Sequence, residues 1–104
     1  MKRVAFTMKL KPGMKVEYEK RHAEVWPEMV ELLRASGVSD YTIFLDEATN
    51  TLFAFQKVSG SGCSQDLGAE PIVQKWWAYM ADIMETNPDN SPVTCPLGEL
   101  WHMD

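Results

Sequence analysis

Tyr41-Thr42-Ile43-Phe44-Leu45, then the polar passage Asp46 to Thr51, then Leu52-Phe53-Ala54-Phe55-Gln56 is the stretch that decides the fold. Both apolar runs are rich in β-branched and aromatic residues and are separated by turn-forming ones, so they predict a hairpin of two strands. Along the second strand Phe53 and Phe55 point one way and Leu52 and Ala54 the other, because side chains alternate across a strand. Both faces of this strand are therefore apolar.

Working outward, Arg3 to Leu10 alternates, with Val4, Phe6, Met8 and Leu10 on one face and Arg3, Thr7 and Lys9 on the other, which predicts a first strand. Pro12-Gly13 signals a turn. Met14, Tyr18, His22, Val25/Trp26, Met29 and Leu32/Leu33 then recur every three or four residues, the apolar stripe of an amphipathic helix ending near Ser36-Gly37. Its outer face carries Glu17/Arg21 and Lys20/Glu24 at i,i+4 spacing, as expected of a solvated surface. Pro27 lacks an N–H and disfavours helical geometry at Trp26, so a kink or break is expected just after His22.

Beyond the hairpin, Ser59 to Ser64 is glycine-rich and expected to be a weakly ordered loop. Pro71 suits a first helical position, and Val73, Trp76/Trp77, Met80 and Ile83/Met84 continue the helical spacing opposite Lys75, Asp82 and Glu85. Asn87 to Pro92 is dense in turn formers, and Leu97 to Met103 is expected to return as a last strand. The order β-α-β-β-α-β predicts an α+β fold, a ferredoxin-like four-stranded antiparallel sheet with both helices on one face. The other face then needs a cover. A homodimer packed sheet against sheet supplies one.

With 104 residues the chain is expected to form a single domain, residues 1–104. Apolar residues at 45% and charged ones at 24% match an ordinary globular protein. A net charge of -5 opposes binding to nucleic acid or to an anionic membrane, and no apolar run reaches the roughly 18 residues that a spanning helix needs. The basic start Met1-Lys2-Arg3 leads into no signal-peptide core, so a cytoplasmic location is expected. Cys63 and Cys95 have no metal-ligand spacing and suggest neither a zinc site nor a disulfide framework.

Among residues that carry chemistry, His22 holds a place in the helical stripe where an aliphatic side chain would normally stand, with Tyr18 one turn before and Trp26 about one turn after. An imidazole with an ordinary pKa of about 6.5 exchanges protons near neutral pH, although a helix histidine taken alone is more often a packing residue. Tyr18 and Tyr41 offer phenols to ligand hydroxyls, and Trp76 and Trp77 offer flat surfaces suited to the C–H faces of a sugar. Core packing is the plainer role for each aromatic alone. Adjacent tryptophans, about 100° apart on a helix, cannot both face the centre of the sheet. No nucleophile elbow, phosphate-cradling glycine loop or HExxH pattern is present. His102 is given no role.

Taken together, Glu17-Tyr18-x-x-Arg21-His22-x-x-x-Trp26-Pro27, Tyr41, Trp76-Trp77-x-Tyr79-Met80 and Asn87-Pro88-Asp89-Asn90-Ser91-Pro92 resemble the L-rhamnose mutarotase family, end to end and in register. The resemblance implies a dimeric α+β barrel fold that interconverts the α and β anomers of L-rhamnose without a cofactor. By the same resemblance His22 is the proton donor, and Tyr18, Tyr41, Trp76 and Trp77 line the substrate site. Ser59 to Gly68 departs from the family pattern, being more glycine-rich and lacking its charged and aromatic lead into the second helix. Two other classes keep an aromatic-lined pocket on a fold of this type: cofactor-free monooxygenases or haem-handling proteins, and binding modules in which His22 only donates a hydrogen bond.

Overall fold

The computed structural model describes residues 1–60 and 62–104. Its elements are β1 (Lys2–Lys9), α1 (Lys15–Ala23), α2 (Pro27–Ala35), β2 (Val38–Asp46), β3 (Thr51–Val58), α3 (Pro71–Met80) and β4 (Cys95–Leu97), with a 3-10 turn at Ser64–Asp66 before α3. The strands form one antiparallel sheet in the order β2-β3-β1-β4. The hairpin thus pairs as its sequence predicts, and β1 lies along the free side of β3.

Alternation sorts the strands into two faces. Phe6, Met8, Leu52 and Ala54 turn inward to meet Tyr18, Met29, Val73, Trp76, Trp77 and Met80 from the helices in one contiguous core. Burying a leucine or valine as fully as Leu10, Leu52, Val58 and Val73 stabilises by about 1.5–3 kcal/mol each. On the outward face Phe44 and Phe55 stay 60% and 42% exposed, their rings 5.9 Å apart.

The long first helix divides where Pro27 requires. α1 stops at Ala23, Trp26 adopts an extended conformation, and Pro27 opens α2 at a position where its missing N–H leaves no hydrogen bond unmade. Nine residues of α1 would be marginal alone, so its place depends on tertiary anchors. One is Tyr18, which is buried. The other is Arg21, whose guanidinium meets Glu17 at 2.8 Å, Asp82 at 2.8 Å and the Tyr79 carbonyl at 2.8 Å, and lies over the Tyr79 ring. Arg21 is therefore not the solvated surface residue that its spacing suggests, since its side chain is only 11% exposed.

Two other expectations are corrected. The last strand is Cys95–Leu97, paired with Ala5, Phe6 and Thr7, and it does not run to Met103. Among the described residues none past Leu97 has a strand partner, so the alternation of Leu100 with His102 builds no ladder. α3 ends at Met80, although the apolar spacing continues, because the chain turns to lie beside the end of β1: Lys11 donates to the Ile83 carbonyl, Glu85 to that of Lys9, and Leu10 bridges Met84. In the passage expected to be weakly ordered, Ser61 lies outside the described residues, whereas Ser64 is buried and the Cys63 N–H donates to the Asp66 carboxylate at 2.8 Å, capping the 3-10 turn.

Candidate active site

Between the helices and the inward face of the sheet lies a cavity of about 810 Å3, lined by all five residues singled out above: Tyr18, His22, Tyr41, Trp76 and Trp77. The size suits a small-molecule cleft, for which about 300–1,000 Å3 is usual. The wall residues come from α1, the bulged strand β2 and α3.

His22 and Tyr18 sit one turn apart on α1, so their rings stack with centroids 4.2 Å apart. The His22 Nδ1 lies 3.1 Å from the Tyr18 carbonyl oxygen. A carbonyl only accepts, so Nδ1 carries the proton and the neutral ring keeps its lone pair on Nε2. Burial pushes the His22 pKa down, partly offset by the bond to the Tyr18 carbonyl, which favours the charged form. Burial thus favours the neutral imidazole, whose unprotonated nitrogen is Nε2.

Tyr41 is aimed by a β-bulge. Ser39 pairs with Lys57 and Thr42 with Phe55, so Asp40 and Tyr41 together oppose the single residue Gln56. Asp40 takes up the extra residue in a left-handed conformation, φ 49°. The register change puts Val38 and Tyr41 on the core side together with Ile43 and Leu45. Burial raises the pKa of Tyr41, and that of Tyr18 well above the usual phenol value.

The adjacent tryptophans diverge, as helix geometry demands. Trp76 meets the His22 ring edge-to-face at 5.5 Å and the Trp26 ring at 5.1 Å, and Trp26 in turn stacks on Tyr79 at 5.6 Å. Trp77 lies against the bare Cα of Gly68, where a Cβ would come within 2.9 Å of the indole edge. Glycine there makes room for the ring. The turn from Thr86 to Pro92 contributes Thr86, Asn90 and Pro92 to the cavity wall, and Asn90 adopts φ 70°.

Sequence reasoning missed two polar residues behind Tyr41, Gln56 and Ser64, which are 2% and 6% exposed. A signal was present: Gln56 falls in the inward register of Leu52, Ala54 and Val58, where an amide needs internal partners.

The fold and cavity define a small α+β protein with a partly buried imidazole set in an aromatic pocket. A family model described as L-rhamnose mutarotase matches residues 3–103. An L-rhamnose mutarotase of Bacteroides thetaiotaomicron is 67% identical over the whole of both chains, and one of Phocaeicola vulgatus is 65% identical over the same extent. The crystal structure of an L-rhamnose mutarotase from Formosa agariphila superposes with a TM-score of 0.94 at 57% identity, covering both chains completely. The chain belongs to the L-rhamnose mutarotase family.

Proposed function

We propose that this chain interconverts the α and β anomers of L-rhamnose, with His22 carrying the proton between the two oxygens on the anomeric carbon. The observation that carries the assignment of His22 is its hydrogen bond to the Tyr18 carbonyl, which leaves Nε2 unprotonated inside an aromatic cavity. Nε2 takes the proton of the anomeric hydroxyl as the bond from the anomeric carbon to the ring oxygen breaks. The imidazolium so formed gives that proton to the ring oxygen, producing the open aldehyde. Rotation about the C1–C2 bond presents the other aldehyde face, and the same steps in reverse close the ring. Base and acid are one residue at successive moments, and no net proton is consumed. General acid–base catalysis of this kind contributes about 10² to 10⁴ in rate.

Trp76 and Trp77 receive the apolar faces of the sugar, while Tyr18 and Tyr41 meet its oxygens. Around this site the fold is ferredoxin-like and the working unit a homodimer, in which the outward face bearing Phe44 and Phe55 is covered by a second copy. Exposed phenylalanines paired on a sheet face support that reading. No helix among the described residues is long and apolar enough to cross a membrane, and the net charge of -5 disfavours nucleic acid and anionic lipid, so a cytoplasmic enzyme acting on a neutral sugar fits the chain. Saturation transfer between the anomeric protons of L-rhamnose tests the activity: exchange faster than in buffer is expected, and exchange at the buffer rate overturns the proposal.

A further inference from the structure

Gln56 places an amide in the buried row of β3, where it bonds Ser64 of the loop and also reaches the Tyr41 hydroxyl. Its Oε1 accepts the Ser64 main-chain N–H at 2.9 Å, and its Nε2 donates to Ser64 Oγ at 2.9 Å. Gln65 Nε2 donates to the same oxygen at 3.2 Å. A hydroxyl oxygen has two lone pairs and one proton. With both lone pairs engaged, Ser64 Oγ is left with its proton to give, and the Tyr41 hydroxyl oxygen stands 3.5 Å away to receive it. A phenol oxygen that accepts on one side directs its own O–H elsewhere. Tyr41 borders the cavity, and the bulge opposite Gln56 is what brings it there.

We propose that Gln56 and Ser64 are positioning residues that fix the Tyr41 hydroxyl as a hydrogen-bond donor into the cavity, directed at the sugar ring oxygen. This rests on the mutarotase reading. Charge develops on the ring oxygen as its bond to the anomeric carbon breaks, and a donor already oriented toward it stabilises that charge without reorganising. Tyr41 keeps its proton throughout, while His22 performs the transfer. The buried amide is thus explained by function: an apolar side chain would suit the core better but would leave Ser64 free to accept from Tyr41 and turn the phenol proton away from the sugar.

The test replaces Tyr41 by 3-fluorotyrosine in the full-length chain and follows its 19F resonance against pH, with Ser64 intact and in Ser64→Ala. Donation onto the phenol oxygen stabilises phenolate, so losing it raises the pKa of residue 41. Were Tyr41 instead the donor to Ser64, the substitution would also remove a bond to the neutral phenol, and the upward shift would be cancelled or reversed. Tyr18 and Cys63, the titratable groups acting on this phenol, are unchanged in both proteins. An upward shift is expected, and no shift or a downward one overturns the proposal. In the unlabelled chain, Ser64→Ala should reduce kcat for anomer exchange about tenfold with KM nearly unchanged, less than the roughly 10² to 10³ lost when an oriented donor is removed outright. An upward shift with unaltered kcat also overturns the positioning role. The titration needs no sugar, so its failure is distinct from an absence of mutarotase activity.

Discussion

The Nδ1–H of His22 is donated to the carbonyl of Tyr18, one turn earlier on the same helix, at 3.1 Å. This contact fixes the tautomer, and with burial lowering the pKa it fixes the resting charge as well. The native state therefore resists a proton that the unfolded chain accepts at an ordinary pKa near 6.5. The stability from neutral His22 is fully present above that value and is lost as pH falls through it toward the lower native pKa. Thermal melts should show the midpoint declining over this interval, and His22→Gln should flatten the decline. Anomer exchange should fall over the same acid range as Nε2 becomes protonated, so a rate rising toward pH 5 would count against a neutral resting imidazole.

Trp76 serves the core and the cavity at once, being 8% exposed while bordering both His22 and Trp26. Trp76→Ala should cost about 3–5 kcal/mol of stability, as large-to-small core substitutions do. Trp76→Phe keeps most of the volume and separates the roles. It should remain folded by circular dichroism while KM for L-rhamnose rises several-fold, and an unchanged KM would remove the indole from sugar contact.

Gly68 backs Trp77 so closely that an added Cβ would meet the indole edge at 2.9 and 3.0 Å. Gly68→Ala should push the ring toward the cavity, quench or shift tryptophan fluorescence, and raise KM more than it lowers kcat. Gly37→Ala is the control for a purely structural effect. Gly37 follows α2 at φ 87°, and the alanine Cβ would clash with the Ser59 hydroxyl, so about 1 kcal/mol or more of stability should be lost with KM unchanged.

Phe44 and Phe55 form the apolar patch that a second copy is proposed to cover. Phe44→Asp places a charge at its centre. Sedimentation at micromolar concentration should show a dimer for the parent chain and a monomer for the variant. A monomeric parent chain would contradict the sheet-to-sheet assembly.

Much of this organisation was legible in the chain because local chemistry and tertiary structure agree. Pro27 cannot sit inside a helix, so the break after His22 follows from covalent geometry. The inward row of β1 and the hairpin are set by alternation, which burial on one face enforces. Other features depend on partners distant in sequence. Leu100, Trp101 and Met103 carry apolar side chains that periodicity assigns to a strand, yet they stay 97%, 78% and 72% exposed and pair with nothing in the sheet. The end of α3 is set by hydrogen bonds to Lys9 and Lys11, more than seventy positions earlier, and no window along α3 contains them.

The site follows the same division. His22, Tyr18, Tyr41, Trp76 and Trp77 are large or titratable residues whose types and spacing stand out, and the fold brings all of them to one cavity. Gln56 and Ser64 do not stand out, because glutamine and serine are common and their meaning comes from the bulge that sets Tyr41 opposite Gln56. A single polar residue in an otherwise apolar inward row is the trace such a pair leaves in sequence.

In the proposed mechanism His22 Nε2 moves the proton between the two oxygens of the anomeric carbon. Its most direct test is the rate of α/β exchange of L-rhamnose, measured by saturation-transfer NMR at pH 7.5 for the parent chain and for His22→Gln. The substitution should lower the enzyme-catalysed rate by about 10² to 10⁴ with the fold retained. A folded His22→Gln protein that exchanges the anomers as fast as the parent would contradict the account.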